Sequence, residues 1–224
     1  MPTRQKSEHA KSYRIVLPDS GNWPLHDFYA FPRAYEQCYA FFYCLDTDLP
    51  ERNEEVVDQA FENYPWQGGY SYVNFYFILL SRIPYNRRPQ IQGFHKASPG
   101  WIDLALNIDV AVHIAKSVAI IAGSGYAVTV AYTKAWKLIN SIKVERAKTK
   151  RATARLLKDE VKDLRSASEE LAKVIGFNSL GALHKRTGNP ETSLKLLIAQ
   201  FRRLRTLQEY QKKSKILLPT KKED

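Results

Sequence analysis

Cysteine is nearly missing from this 224-residue chain, and its scarcity excludes several classes at once. The two cysteines, Cys38 and Cys44, form neither a CxxC pair nor a disulfide framework. Six residues apart on an expected helix, they read as buried thiols of a reducing compartment. Met1 to His9 is polar, without the apolar core of a secretory signal. That predicts a cytoplasmic protein of bacterial or phage type. The motifs of catalysis are missing too. No GxxxxGK[ST], no GxGxxG after a strand, no HExxH and no GxSxG occurs. His9, His26, His95, His113 and His184 lack metal-ligand spacing. Asp46, Asp48 and Glu51 have no glycine to turn a cation loop, so they read as a solvated turn. His26-Asp27 has no nucleophile to serve. A non-enzymatic protein without cofactor or metal is therefore expected. An enzyme built from dispersed residues is the third-ranked reading.

Charge of one sign is missing from most of the chain. Residues 1–141 carry 13 Lys+Arg against 13 Asp+Glu, while residues 142–224 carry 21 against 10. The net +11 thus lies wholly in the C-terminal third. Aromatics divide the other way, with 24 of 27 before residue 142. The layout is a neutral aromatic body, an apolar connector and a basic helical tail, which suits a protein that binds surfaces.

Hydrophobic periodicity fills in the elements. Ser12 to Leu17 reads as a strand, and PRAYEQCYAFFYCL from Pro32 as a helix with Tyr35, Tyr39, Phe42 and Tyr43 on one face. Glu51 to Tyr64 and YSYVNFYFILLSRI read as two more helices. Gln90 to Lys96 and Trp101 to Leu106 are expected strands around a Ser98-Pro99-Gly100 turn. Asn107 or Asp109 can cap the next helix. Further on, Leu157, Val161, Leu164, Ser168, Leu171 and Ile175 recur at a/d-like spacing, as in a short coiled coil or a bundle helix. Gly176 suits a C-cap. Asn189 and Pro190 open a last helix lined by Leu194, Leu197, Phe201 and Leu204. Lys212 to Asp224 is expected to fray. The fold class is α+β and mostly helical. A small N-terminal α+β module spans 1–106, an apolar helical segment 107–140, and a basic helical or coiled-coil region 141–224.

Ser117 to Thr133 carries no formal charge over 17 residues, and Lys116 and Lys134 bracket it. Extended back to Val110, the stretch approaches the roughly 20 residues of a membrane crossing. Two readings stand. It is a helix buried in the protein or in an oligomer, or it enters lipid and ties the protein to the inner membrane. Small residues Ala119, Ala122, Gly123 and Ser124 permit close helix approach, and Tyr126 and Trp136 suit an interface. Lys143, Arg146, Lys148, Lys150, Arg151 and Arg155, with Arg202, Arg203 and Arg205, form clusters fit for an anionic surface, whether lipid headgroups or phosphate backbone.

The stretch PQIQGFHKASPGWIDLALNIDVAVHIAKSVA, with the GGYSYVNFY segment before it, resembles an uncharacterised group of bacterial accessory or effector-type proteins. Members share a strand, an SPG turn, an apolar segment and a charged helix; the likeness covers about residues 66–165. The resemblance implies a bacterial stress or defence context and assigns no residue a role. The expected function is a non-enzymatic interaction or effector protein that self-associates and engages a membrane through its apolar segment. The alternative is a nucleic-acid-binding accessory protein that uses the basic helices.

Overall fold

The computed structural model describes residues 12–18, 23–63, 71–149 and 156–221. The chain is mostly helical, with one small antiparallel sheet, as the patterning predicted. Strand β1 (Ser12–Leu17) precedes helices α1 (Leu25–Asp46), α2 (Glu51–Asn63) and α3 (Ser71–Arg82). Strands β2 (Gln90–His95) and β3 (Gly100–Ala105) follow, then α4 (Ile108–Gly123) and α5 (Tyr126–Thr149). The C-terminal part holds α6 (Lys158–Val174), α7 (Leu180–Thr187) and α8 (Pro190–Lys212).

The sheet runs in the order β1-β3-β2. On its core face Tyr13, Ile15 and Leu17 alternate with exposed or half-buried neighbours, the period-2 pattern of a half-buried strand. Between Ile91 and Gly93 the register of β2 against β3 shifts, the mark of a bulge. The C-terminal segment, expected to fray, is instead part of the fold. Val16 N–H donates to the Leu217 carbonyl at 3.1 Å, and Leu217 N–H returns a bond to Val16 at 2.8 Å. Ile216 and Leu218 are buried beside that bridge. Two apolar residues among lysines are enough once an open strand edge awaits them.

Helix α1 is longer than its proline suggested. It begins at Leu25 and carries Pro32 in its interior. A proline there forfeits one backbone hydrogen bond. Burial of Phe31 and Tyr35 on either side offsets that loss, since each large side chain removed from water contributes a few kcal/mol. Both cysteines lie fully buried on this helix as free thiols.

Helix α8 is the axis of the molecule. It packs against α1, α4, α5, α6 and α7. Leu194, Leu197, Phe201 and Leu204 are buried as expected, but so are Leu196 and Ile198 on other sides. A helix apolar most of the way round is an interior helix. Asn189 accepts from the N–H groups of Glu191 (2.9 Å) and Thr192 (3.3 Å), with Pro190 at the first position. Asn107 caps α4 in the same manner. On α6, Leu164, Ser168, Leu171 and Ile175 turn inward, whereas Leu157 is half exposed. Buried side chains from 1–106, 107–140 and 141–224 join a single core cluster.

Candidate functional site

The apolar segment becomes a corner. No single helix among the described residues is long and apolar enough to cross a membrane; α4 and α5 meet at a bend of 101°. Ser124 is the C-cap of α4, and its hydroxyl donates to the Ile120 carbonyl at 2.6 Å. Gly125 takes a left-handed φ of 51°, a conformation that costs glycine little. The inner side of the corner is core, formed by Ile114, Val118, Ile121, Val128 and Ala131. Its outer side faces solvent. Ala119, Ala122, Gly123 and Tyr126 are exposed, Tyr126 at 81%, and Ile120 and Val130 at 41% each. A side chain added at Gly123 would meet nothing within 4 Å, so no other element of the chain packs closely against that position.

Cations surround this apolar tip. Lys116 lies one turn before Ile120 on α4. Lys134 and Lys137 share a shallow depression with Tyr126 and Val130. Arg205 and Lys212 of α8 line a second hollow beside Ala122 and Gly125. Lys173 precedes Val174, whose carbonyl lies 3.4 Å from Ser124 Oγ. Two acids partly offset them: Glu170 pairs with Lys134 at 2.5 Å, and Glu209 lies 3.9 Å from Arg205.

The basic residues expected at an anionic surface divide into groups. Lys143, Lys148 and Arg205 are exposed, and Lys150, Arg151 and Arg155 lie outside the described residues. Arg146 is a correction. It is 7% exposed, and its guanidinium donates to Glu191 at 2.6 Å. Arg203 is likewise drawn inward: it donates to Gln37 at 2.6 Å and stacks 3.9 Å from the Tyr76 ring centroid. Arg202 stays exposed but rests over Trp136 at 4.7 Å and donates to the Tyr132 hydroxyl, so Trp136 is half covered.

Groups with catalytic potential are engaged in the fold. Asp46 accepts from the Ser179 hydroxyl and pairs with His113 Nδ1 at 3.0 Å, so hydroxyl and imidazole meet the carboxylate rather than each other. Asp27 bonds Tyr210 and Lys215. Burial pushes the Cys38 and Cys44 thiols up to about 12, which keeps them protonated and unreactive. No cluster of three metal-ligating side chains occurs among the described residues.

His184 Nδ1 contacts Ser193 Oγ at 2.9 Å, and Thr187 Oγ1 lies 2.6 Å from that same oxygen. Ser193 is fully buried, out of reach of a substrate. Burial holds the His184 imidazole below its ordinary value of 6.5, Arg165 adds to the effect and Glu169 opposes it. The unfolded chain therefore binds more protons at this site, and the contribution of His184 to stability falls as pH drops below 6.5. Urea midpoints are expected to decline across that window, less steeply in His184→Gln. Equal slopes in the two proteins would exclude His184 as the source.

Comparison with protein-family models, with curated proteins and with solved structures gave no match to this chain.

Proposed function

We propose that the protein is a non-enzymatic interaction protein that self-associates and docks peripherally on an anionic membrane surface through the α4–α5 corner. The observation that carries this reading is the exposed apolar tip of Ile120, Tyr126 and Val130 within a ring of lysines and an arginine. Apolar side chains enter the headgroup boundary, and each nearby cation adds about 1 kcal/mol against anionic lipid. A peripheral contact is favoured over a crossing because α4 is only 16 residues long and α5, though 24 residues long, is too polar to span alone. The bacterial accessory or effector setting implied by the resemblance belongs with this proposal. A nucleic-acid role for the basic helices draws less support, since Arg146 and Arg203 are held inside the fold.

Vesicle flotation of the full chain tests the reading. Binding is expected to phosphatidylcholine vesicles that contain phosphatidylserine and not to phosphatidylcholine alone, and it should weaken as salt rises. Tyr126→Asp with Val130→Asp should lower the affinity by about tenfold or more, because two charges would have to enter the interface. Binding that ignores lipid charge, or that survives the double substitution, would overturn it. Salt-steep affinity for DNA with no vesicle binding would move the assignment to the nucleic-acid alternative.

A further inference from the structure

Beside the exposed tip lies a hollow of about 570 Å³, within the roughly 300–1,000 Å³ of small-ligand sites. Its floor is apolar, formed by the buried side chains of Ile121 and Val128 from the corner and Phe201 from α8. Ala122 and Gly125, which lie in the chain between the tip residues Ile120 and Tyr126, wall it on the corner side. A side chain added at Gly125 would meet nothing within 4 Å, so that wall is low.

The polar side is one stripe of α8. Arg205, Glu209 and Lys212 stand at i, i+4 and i+7, on one face, in axial steps of about 6 and 4.5 Å. The stripe reads plus, minus, plus, and these three are the charged groups among the lining residues. Around them the charge is positive. Arg202 and Lys213 flank the stripe on α8 and are exposed. From Val110 to Val144 the corner helices contain no Asp or Glu, and Glu170 of α6 is taken up by Lys134. Glu209 is thus a lone acid in a basic setting. Arg205 does approach it, but at 3.9 Å, with side chains 57% and 43% exposed. An ion pair so open contributes little, and both partners stay available to a ligand.

These charges select the occupant. Two cations against one anion leave the lining at +1, which calls for a ligand of net −1. A simple anion would set negative charge against Glu209. The ligand that fits carries two anionic groups and a cation with N–H to donate. Phosphatidylserine has all three: phosphate and carboxylate for Arg205 and Lys212, and a primary ammonium for Glu209. Phosphatidylglycerol has the same net charge and no cation. Phosphatidylcholine has a quaternary ammonium without N–H and no second anion. In a phosphoserine within a protein, the amine and carboxylate are tied up in peptide bonds. The apolar floor suits the glycerol end of a lipid, and the tip beside it meets the bilayer.

We propose that the hollow between the α4–α5 corner and α8 holds the headgroup of one phosphatidylserine molecule, with its ammonium on Glu209. The proposal rests on the peripheral membrane reading above and names the lipid. Recognition is then of headgroup chemistry and not of surface charge alone.

Calorimetric titration of the full chain with dihexanoyl phosphatidylserine, kept below its micelle concentration, tests this without a membrane. Saturable binding is expected, about tenfold or more tighter than to dihexanoyl phosphatidylglycerol. Glycerophosphoserine should bind more weakly than the short-chain lipid, because it leaves the apolar floor uncovered. Glu209→Gln should erase the difference between the two lipids. Arg205→Gln with Lys212→Gln should abolish binding of both, with helical circular dichroism retained because these side chains are exposed. No binding of the serine lipid, equal affinity for the two lipids, or a preference that survives Glu209→Gln would each overturn the proposal. Glycerophosphoserine bound as tightly as the lipid would also overturn it, since the ligand would then be a soluble serine phosphodiester. Vesicle flotation keeps the two readings apart. Equal binding to phosphatidylserine and phosphatidylglycerol vesicles removes the headgroup site and leaves the membrane surface; selective short-chain binding without vesicle binding does the reverse.

Discussion

Replacing Glu191 with alanine is expected to cost about 3–5 kcal/mol of stability, one of the two largest effects of a single substitution in this protein. Arg146 Nη2 and Glu191 Oε2 lie 2.6 Å apart, and the two side chains are only 8% and 10% exposed. Burial by itself would raise the Glu191 carboxyl. Hydrogen bonds from Arg146 and Lys195 outweigh it and hold the group below its ordinary value of 4.5. Its contribution is therefore present above that value and is lost on acidification. Without Glu191, Arg146 keeps its charge in a dry site, and its Nε already lacks a partner. The converse change, Arg146→Ala, should cost less, because Lys195 remains 2.6 Å from Glu191. A paired replacement by leucines should recover much of the loss. Urea unfolding at neutral pH measures all three. If Glu191→Ala costs under 1 kcal/mol, the pair is solvated and the argument fails.

Phe41→Ala should be comparably severe. The ring is fully buried and meets Phe42 (6.0 Å), Phe61 (6.0 Å), Tyr76 (6.4 Å) and Phe177 (5.9 Å) between centroids. These partners come from α1 itself, α2, α3 and the turn after α6, so the truncation leaves a void at a junction that cannot close by moving one element. Removal of a core phenylalanine costs about 3–5 kcal/mol. At about 2–4 °C per kcal/mol for a chain of this size, the thermal midpoint should fall by roughly 10 °C. Calorimetry decides; a drop of a degree or two would mean that the neighbours collapse into the space.

Much of the fold was legible along the chain because its signals are local. Asn189-Pro190 marked the start of α8 and Asn107 that of α4, since a capping side chain bonds N–H groups two and three residues on. The strands were legible from short apolar runs between turn residues. Where the reading missed, a distant partner was the cause. Leu25 to Ala30 carried too few core positions to announce a helix before Pro32, yet α1 begins there. Ile216 and Leu218 gained a place only because β1, some two hundred residues earlier, presented an edge.

The candidate surfaces were half legible. The small residues at 119–124 were recognisable as an unusual stretch, but period and length could not say that they face outward. The exposure of Ile91 and Phe94 on β2 was missed altogether. They look like opposite faces of a strand until the bulge brings them together.

The sequence alone determined that the chain would be mostly helical, where α4 and α8 start, how charge and aromatics divide and that no familiar catalytic motif is present. Those properties depend on hydrogen bonds and spacings within a few residues. Only the tertiary structure decided which groups are spent inside and which are offered outside. Arg146 and Lys148 are near neighbours of one chemistry on one helix. One is buried because Glu191, 45 residues away, reaches it, and the other remains in water. Burial is a property of what packs from elsewhere, and a linear pattern does not contain it.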